Sequence, residues 1–336
     1  METVKSTTLR NARARAAAWV LLLLLTSAPA SAAIGDRGLM TVEFLYAIEY
    51  AGGRSDMLKA PMDLFFDRKH GELYVTDPGR HAVLIYDRNG MFVQELRVES
   101  PEGAASQVAV DARGRIYVTH LNSPRLTVLD YRGAFLDSFL LPGTEEKGRV
   151  RPMSLAAGPD GGVYALLAAG GVVRVDPDGE AHRVISLKGE GQPNAITAVA
   201  VDGDGRLLFG DMRPYSWVRL DPATGKFERH GTPGVLYGQL ARPSGLASDE
   251  AGHVFVLSSV TSKVSCFDRQ GKFYEEFGAL GDGYGTFYMP SKVVSDGKDR
   301  LYVLESMLRR IQVFRIGFPS RGALVGSPSV IKPDRG

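Results

Sequence analysis

Cysteine is almost absent from this chain of 336 residues, in which Cys266 is the only one. A single cysteine cannot form an internal disulfide, so the stability of the fold must come from packing. Cys266 lies in the segment KVSCFD, next to apolar residues. We therefore predict a small buried side chain at this position rather than a nucleophile.

An excess of charge of one sign is also lacking. The whole chain has 40 Lys and Arg against 38 Asp and Glu, for a net charge of +2. Residues 1–32 hold four of the basic residues and one of the acidic ones, which leaves 36 basic and 37 acidic residues in the remainder. Bulk charge therefore indicates no polyanionic partner, and we expect no nucleic acid ligand.

Long apolar runs are missing except near the N-terminus, where AAAWVLLLLLTSA fills residues 16–28. This run is shorter than the ~20 residues of a membrane span. It follows four basic residues and precedes the small residues ASA at 30–32. The pattern predicts a signal peptide over residues 1–32 with cleavage after Ala32, and an uncleaved membrane anchor is the alternative.

The absence of two further signals narrows the predicted route of export. No cysteine follows the cleavage site, and no Arg-Arg pair precedes the apolar run. The pattern therefore indicates general secretion to the periplasm or the cell exterior, with no lipid anchor and no membrane span in the mature chain.

What the chain does contain is one short pattern repeated six times. An apolar strand, an Asp-containing turn and a second strand recur with steps of 44, 47, 44, 47 and 47 residues. The copies are LFFDRKHGELYV (64–75), VAVDARGRIYV (108–118), LAAGPDGGVYA (155–165), VAVDGDGRLLF (199–209), LASDEAGHVFV (246–256) and VVSDGKDRLYV (293–303). A period in the forties with several short strands per unit predicts a β-propeller.

Each unit resolves into four strands, which we label a to d from the innermost outwards. Strand a is nearly all apolar, whereas strand d, such as FYEEF in copy five, alternates apolar and charged residues as a half-exposed strand does. We predict an all-β fold over residues 33–318, a six-bladed propeller of four-stranded antiparallel blades. Residues 319–336 form a short tail rich in Gly, Pro and Ser that we expect to be flexible.

The sixth copy has no strand d of its own, and the N-terminal part of the mature chain supplies a candidate. VEFLYAIEY (42–50) resembles a strand d with no strands a to c before it. We predict that it pairs with IQVFRI (311–316) and closes the ring. Closure would also bring Asp63 of blade one and Lys292 of blade six together across the seam; two separately solvated charges are the alternative.

Three segments of the chain resemble NHL repeats. They are APMDLFFDRKHGELYVTDPGRHAVLIYDRNGMFVQEL (60–96), LARPSGLASDEAGHVFVLSSVTSKVSCFDRQGKFYEEFG (240–278) and FGALGDGYGTFYMPSKVVSDGKDRLYVLESMLRRIQVFR (277–315). The resemblance covers roughly 42–318, is weaker in copies two to four, and implies a six-bladed propeller like those of exported bacterial NHL proteins. That family contains scaffolds, ligand binders, RNA binders and a metal-dependent lyase, so the resemblance does not choose a function.

The last residue of strand b marks the rim at which propeller loops gather. Asp77, His120, Asp211 and Glu305 occupy this place in four blades and could together ligate Ca or Zn. Such a site would support a metal-dependent lyase or hydrolase at the channel mouth. The alternative is that the aspartates cap loop amides, as Asp in turns usually does. Histidines near this rim are too few for a three-ligand zinc site, and no complete catalytic group of residues is visible.

Arginine and aromatic residues are frequent in the loops at this rim, and both are enriched at binding hot spots. The alternative is that the aromatic residues fill seams and the arginines only solvate the surface. The candidate residues are Arg80, Arg125, Arg213, Tyr215, Trp217, Tyr284, Arg309 and Arg310. We expect a monomeric, non-enzymatic binding or scaffold module without a cofactor, whose rim binds a protein partner or an anionic glycan or peptide.

Overall fold

The computed structural model describes residues 40–319, except for positions 54, 99, 143, 145–150, 169, 179–181, 186, 188–192 and 194. All of them belong to one compact unit spanning residues 33–336. The predicted signal peptide and the tail from residue 320 onwards lie outside the described residues. None of the described segments is a helix long and apolar enough to cross a membrane.

The described chain forms six four-stranded antiparallel sheets, so the predicted propeller is confirmed. It begins with β1 (Thr41–Ile48) and continues with blade one, β2 (Asp63–Asp67), β3 (Glu72–Asp77), a short 3-10 helix (Pro78–Arg80), β4 (Ala82–Asp87) and β5 (Phe92–Arg97). Blade two contains β6 (Ala105–Val110), β7 (Ile116–His120), β8 (Arg125–Leu129) and β9 (Phe135–Leu140). Blade three contains β10 (Pro152–Ala157), β11 (Val163–Leu167), β12 (Val172–Val175) and β13 (His182–Ile185).

Blade four contains β14 (Ile196–Val201), β15 (Leu207–Met212), β16 (Tyr215–Leu220) and β17 (Phe227–His230). A small parallel pair, β18 (Thr232–Pro233) and β19 (Gln239–Leu240), follows in the connection to blade five. Blade five contains β20 (Pro243–Ser248), β21 (Val254–Ser258), β22 (Lys263–Phe267) and β23 (Phe273–Phe277). Blade six contains β24 (Lys292–Ser295), β25 (Arg300–Glu305) and β26 (Arg310–Gly317), with β1 as its fourth strand.

The turn between strands a and b explains why Asp and Gly recur in the sequence. In blade two, Asp111 Oδ1 accepts hydrogen bonds from the amides of Arg113 and Arg115, both at 2.9 Å. Gly114 in the same turn has a φ of +79°, a conformation that costs glycine least. The repeated Asp therefore holds a tight hairpin, and it leaves strands a and b in register.

The core lies in the seams between blades, because a four-stranded sheet cannot shield both of its faces alone. Six apolar clusters occur among the described residues, one for each seam. At the seam that closes the ring, Leu73 and Val75 of blade one pack with Leu304 and Val313 of blade six. The blades thus form a complete circle rather than an open stack.

Strand β1 closes the ring as the sequence predicts. It pairs antiparallel with β26 from Thr41 opposite Gly317 to Ile48 opposite Ile311, with a register shift between Phe44 and Tyr46. The chain before blade one therefore completes blade six. Cys266 is also buried as predicted, and burial raises its thiol pKa well above the ordinary value.

Candidate functional site

Two faces of the propeller differ in the segments that form them. The loop face carries the loops between strands b and c and the connections from one blade to the next. The turn face carries the tight hairpins between strands a and b and between strands c and d. The loop face holds the longer segments, such as 49–62, 231–242 and 278–291. Long loops on a rigid scaffold are the usual place for binding residues.

Exposed large apolar residues are concentrated on the loop face. Of nineteen such residues in the described chain, fourteen lie in or beside its loops. The other five lie in or near the outer strands β5 and β9, and they are Met91, Val93, Tyr131, Phe135 and Leu136. Apolar exposure on this scale at one face of a fold indicates an interaction surface.

The exposed apolar residues are densest over blades five and six. Leu280, with 71% of its surface exposed, and Tyr288 and Met289 lie in the connection between these two blades. Leu236 comes from the preceding connection, and Val260 and Met307 are from the loops between strands b and c of blades five and six. We call these six residues the apolar patch: Leu236, Val260, Leu280, Tyr288, Met289 and Met307.

Arginines of the loop face divide into two groups. Arg213 and Arg309 are exposed, and neither guanidinium has a partner among the described residues. Arg80 instead donates to Asp56 Oδ1 at 2.6 Å, and Arg310 is buried and donates to Glu305 Oε2 at 2.6 Å. Exposed arginines such as the first two are available to a ligand, whereas the ion-paired ones tie loops to the blades.

Two of the three further rim candidates are also held by intramolecular contacts. Arg125 donates from Nε to Ser138 Oγ at 3.1 Å. Tyr284 is exposed, yet its ring stacks on Phe44 with centroids 4.9 Å apart. The third, Tyr215, is exposed as the first residue of β16, two residues after Arg213.

Trp217 is not a rim residue, although the sequence analysis placed it there. Its side chain is fully buried and stacks on His230 with ring centroids 4.3 Å apart. Position 217 lies within β16 and points into the seam between blades four and five, where it packs with Leu208 and Phe267. The alternative interpretation, that aromatic residues fill seams, applies to this residue.

Aspartates at the ends of strands b cap loop amides. Asp77 accepts from the amides of Lys59 at 2.8 Å and Ala60 at 2.9 Å. Asp211 accepts from the amide of Arg213 at 3.0 Å and from Arg229 Nη1 at 2.7 Å. Both carboxylates are fully buried, and both have the capping role that the sequence analysis gave as the alternative to metal ligation.

His120 and Glu305 are likewise buried among protein partners. The Nδ1 of His120 lies 2.8 Å from the Gly103 carbonyl, and Nε2 lies 2.8 Å from Thr127 Oγ1. Burial lowers the pKa of this imidazole below its ordinary value. Glu305 accepts from Arg310 and also from the amide of Tyr288 at 2.7 Å.

The four candidate ligands therefore do not meet at one place. They belong to blades one, two, four and six, and each satisfies its own loop. Within the described residues, no three His, Cys, Asp or Glu side chains are grouped as a metal site would require.

Asp63 and Lys292 form an ion pair across the closing seam. Lys292 Nζ lies 2.7 Å from Asp63 Oδ1, and Asp63 Oδ2 accepts from the amide of Val108 at 3.0 Å. Burial raises the pKa of Asp63, against the effect of the lysine, which lowers it. The pair joins blades six, one and two at the inner strands.

The inner strands also enclose an axial cavity of about 470 Å³. Its walls come from strand a of all six blades, and its lining extends to exposed residues of the turn face, including Arg68, Lys69 and Glu250. Lys292 lines the cavity as the first residue of β24. This cavity was not predicted from the sequence, although the small apolar pattern of every strand a is the signal that could have indicated it.

Backbone strain in the described chain also falls on the loop face. Five residues other than glycine have positive φ angles between 45° and 55°. His81, Ser262 and Arg309 each precede strand c of their blade, and Arg242 and Met289 each precede a proline at the start of blades five and six. Such residues need support from their surroundings and are enriched at functional sites.

The fold and this geometry define the class of protein, a six-bladed β-propeller. No family model matches the chain, and no curated protein matches it either. The resemblance to NHL repeats therefore stays a prediction.

Solved structures with the same fold include several enzymes. The structure of a streptogramin B lyase has 16% sequence identity to this chain. The match covers 83% of this chain and 98% of the lyase chain, with a TM-score of 0.56. A gluconolactonase from Xanthomonas campestris is 17% identical and covers 83% of this chain and 90% of its own, with a TM-score of 0.57. A protein of unknown function from Bacteroides thetaiotaomicron is 14% identical and covers 83% of this chain and 76% of its own, with a TM-score of 0.62. At these identities the similarity shows the fold alone.

Proposed function

We propose that this protein is a non-enzymatic binding module whose loop face binds a protein partner through the apolar patch. The observation that carries the proposal is the concentration of exposed apolar residues on one face. Methionine and tyrosine are prominent among them, and both are enriched at protein interfaces. An apolar surface of this kind is costly to leave in water, and a partner that covers it gains the corresponding free energy.

The exposed arginines of the loop face suggest the chemistry of the partner. Arg213 and Arg309 both lie in loops between strands b and c, and Arg309 is two residues from Met307 of the patch. We infer a partner segment with apolar side chains flanked by acidic groups. An anionic glycan would meet the arginines but would leave the apolar patch uncovered, which favours a protein or peptide.

The test is affinity capture from the native exported fraction with two matched triple variants. Val260→Ser, Leu280→Ser and Met307→Ser remove three of the six residues of the apolar patch, and Met91→Ser, Tyr131→Ser and Phe135→Ser remove three exposed apolar groups elsewhere. All six side chains are exposed, so both variants should fold. We expect the first variant to lose at least tenfold in affinity for the captured partner, since hot-spot truncations cost more than ~1 kcal/mol each. The second variant should bind as the wild type does.

Two results would contradict this proposal. One is capture of the same partners by both variants, which would show that the patch contributes nothing to binding. The other is capture that is abolished by Arg213→Ala and Arg309→Ala but unaffected by loss of the patch, which would indicate a glycan or other anion instead.

A metal-dependent lyase or hydrolase at the channel mouth is the second candidate, because two of the similar structures are a lyase and a gluconolactonase. The bonds of Asp77, His120, Asp211 and Glu305 to their own loops count against it. Elemental analysis of the purified protein separates the two functions. One equivalent of Ca or Zn would favour the enzyme, provided that a chelator removes the metal and changes the melting temperature of the protein.

We further propose that the protein works outside the cytoplasm, in the periplasm or beyond the cell, as a monomer. The support is the pattern of residues 1–32, which resembles a secretory signal. N-terminal sequencing of the native protein should begin at Ala33. A chain that retains residues 1–32 in the membrane fraction would contradict export in soluble form.

A further inference from the structure

We propose that the axial cavity binds a small amphipathic monocarboxylate. Its apolar part would lie among the inner strands, and its carboxylate would lie at the mouth on the turn face. This site is on the side of the ring opposite the apolar patch, so it is independent of the partner surface proposed above.

The walls of the cavity suit an apolar chain. Leu64, Val110, Leu155, Val199 and Leu246 come from strand a of five consecutive blades and line one central space. Its volume of about 470 Å³ lies within the ~300–1,000 Å³ of typical small-molecule sites. A ligand with an unbranched or lightly branched carbon chain would therefore remove apolar surface from water without any change in the blades.

The mouth of the cavity carries two cations. Arg68 and Lys69 are exposed residues of the first a–b turn. The guanidinium of Arg68 donates to the Ser248 carbonyl of blade five, and Lys69 Nζ donates to the Ala112 carbonyl of blade two at 2.8 Å. Both side chains thus reach over the opening in different directions. A ligand carboxylate would replace these neutral acceptors by a charged one, which makes a stronger hydrogen bond.

The buried aspartates that line the mouth have partners of their own. Asp111 pairs with Arg115 at 2.6 Å, Asp202 pairs with Arg206 at 2.8 Å, and Asp67 accepts from the amide of Lys69. Glu250 is the exposed lining acid. Arg68 and Lys69 donate to neutral carbonyls, and a ligand carboxylate can take the place of those acceptors.

The charged groups at the inner end of the cavity are paired with each other. Lys292 lines this end, but its ammonium is 2.7 Å from Asp63 Oδ1, and the two form a neutral pair. A second anionic group on the ligand would have to compete with Asp63 for the lysine. The site therefore selects a molecule with one anionic end and one apolar end.

Calorimetric titration of the full protein with decanoate, below its micellar concentration, tests this site. We expect one decanoate per chain, with much weaker binding of decanol, which lacks the charge, and of acetate, which lacks the chain. Arg68→Met and Lys69→Met together should weaken decanoate by about tenfold or more, as loss of ~1.4 kcal/mol or more in charged hydrogen bonds implies. Lys298→Met is the matched control, because Lys298 is an exposed lysine of the same face that does not line the cavity.

A variant that fills the cavity distinguishes it from an outer surface. Ala200 and Ala157 line the cavity from β14 and β10, so Ala200→Phe or Ala157→Phe should abolish decanoate binding while circular dichroism stays unchanged. Two variants are named so that failure of one to fold leaves the test intact. The proposal is wrong if decanoate fails to bind the wild type, if it binds the filled variants equally well, or if decanol binds as tightly as decanoate.

Discussion

Charged residues inside this propeller are engaged with protein partners, and this limits what each of them can do for a ligand. Asp77 and Asp211 cap loops, Glu305 holds Arg310, and Asp63 holds Lys292. A carboxylate removed from water needs such partners, since burial disfavours its charged form. At the scale of single residues, the interior acids therefore stabilise loops and seams.

The Asp63–Lys292 pair gives a prediction at this scale. Lys292→Met leaves a fully buried carboxylate without its cation, and we expect a loss of about 3 kcal/mol in the free energy of unfolding near neutral pH. Without Lys292 the pKa of Asp63 in the folded state should rise further above its unfolded value. The folded variant then binds an extra proton in the interval between these two pKa values, so its stability should increase as the pH falls through that interval.

Urea unfolding from neutral to mildly acidic pH measures both effects. The double variant Asp63→Leu with Lys292→Met is the control, because it removes both charges and should cost much less than Lys292→Met alone. A Lys292→Met variant whose deficit is independent of pH would contradict the proposed protonation of Asp63.

At the scale of elements, closure of the ring depends on the single strand β1. This strand is separated from β26 by most of the chain, yet the two pair over seven positions from Thr41 to Ile48. Tyr46 also donates from its hydroxyl to the Arg88 carbonyl of blade one at 2.7 Å, so β1 contacts both sides of the closing seam. A ring closed in this way can separate between β1 and β26, because the chain links β1 to blade one and only non-covalent contacts hold it to β26.

A disulfide between β1 and β26 should therefore stabilise the fold. Glu43 and Arg315 are cross-strand partners with exposed side chains, separated by 272 residues. In the variant with Glu43→Cys and Arg315→Cys, oxidation should raise the free energy of unfolding by ~3 kcal/mol, since closing a long loop restricts the unfolded chain. Unfolding of the same protein with and without reductant measures the difference. Equal stability in both forms would show that separation of β1 does not limit the fold.

At the scale of the whole molecule, each blade packs mainly against its two neighbours. The six seam clusters are all apolar, and β1 contributes to two of them: Val42 and Phe44 to the seam between blades five and six, and Leu45, Tyr46 and Ile48 to the seam between blades six and one. In an array with nearest-neighbour contacts, damage at one interface weakens that interface first. The closed ring is thus stable as a unit, but the seam between blades six and one relies on the pairing of β1 with β26 for its closure.

Hydrogen exchange can locate this seam. Ile48 is buried in the cluster that joins blades six and one, so Ile48→Asp should expose β26 and the inner edge of blade one to faster exchange. Amides of β11 and β15, on the opposite side of the ring, should keep protection close to that of the wild type. Mass spectrometry of peptides from each blade reports the pattern, and an equal loss in all six blades would contradict a local opening.

Much of the fold could be predicted from local patterns. The Asp and Gly of each a–b turn, the apolar strand a and the alternation of strand d recur at a regular interval, and repetition multiplies a weak local signal. The candidate site was harder to predict from the sequence. Trp217 and Tyr215 are two residues apart in one strand, and sequence alone does not show where the packing of a seam ends and solvent begins.

The amino-acid sequence by itself determined the number of blades, the strands within them and the need for a strand from the N-terminal part to complete the last blade, because these follow from short-range periodicity and turn chemistry. The tertiary structure alone decided which rim residues are free and where a cavity lies. Those properties depend on distances between residues far apart in the chain, such as Arg68 and Ser248 or Asp63 and Lys292, which only closure of the ring brings together.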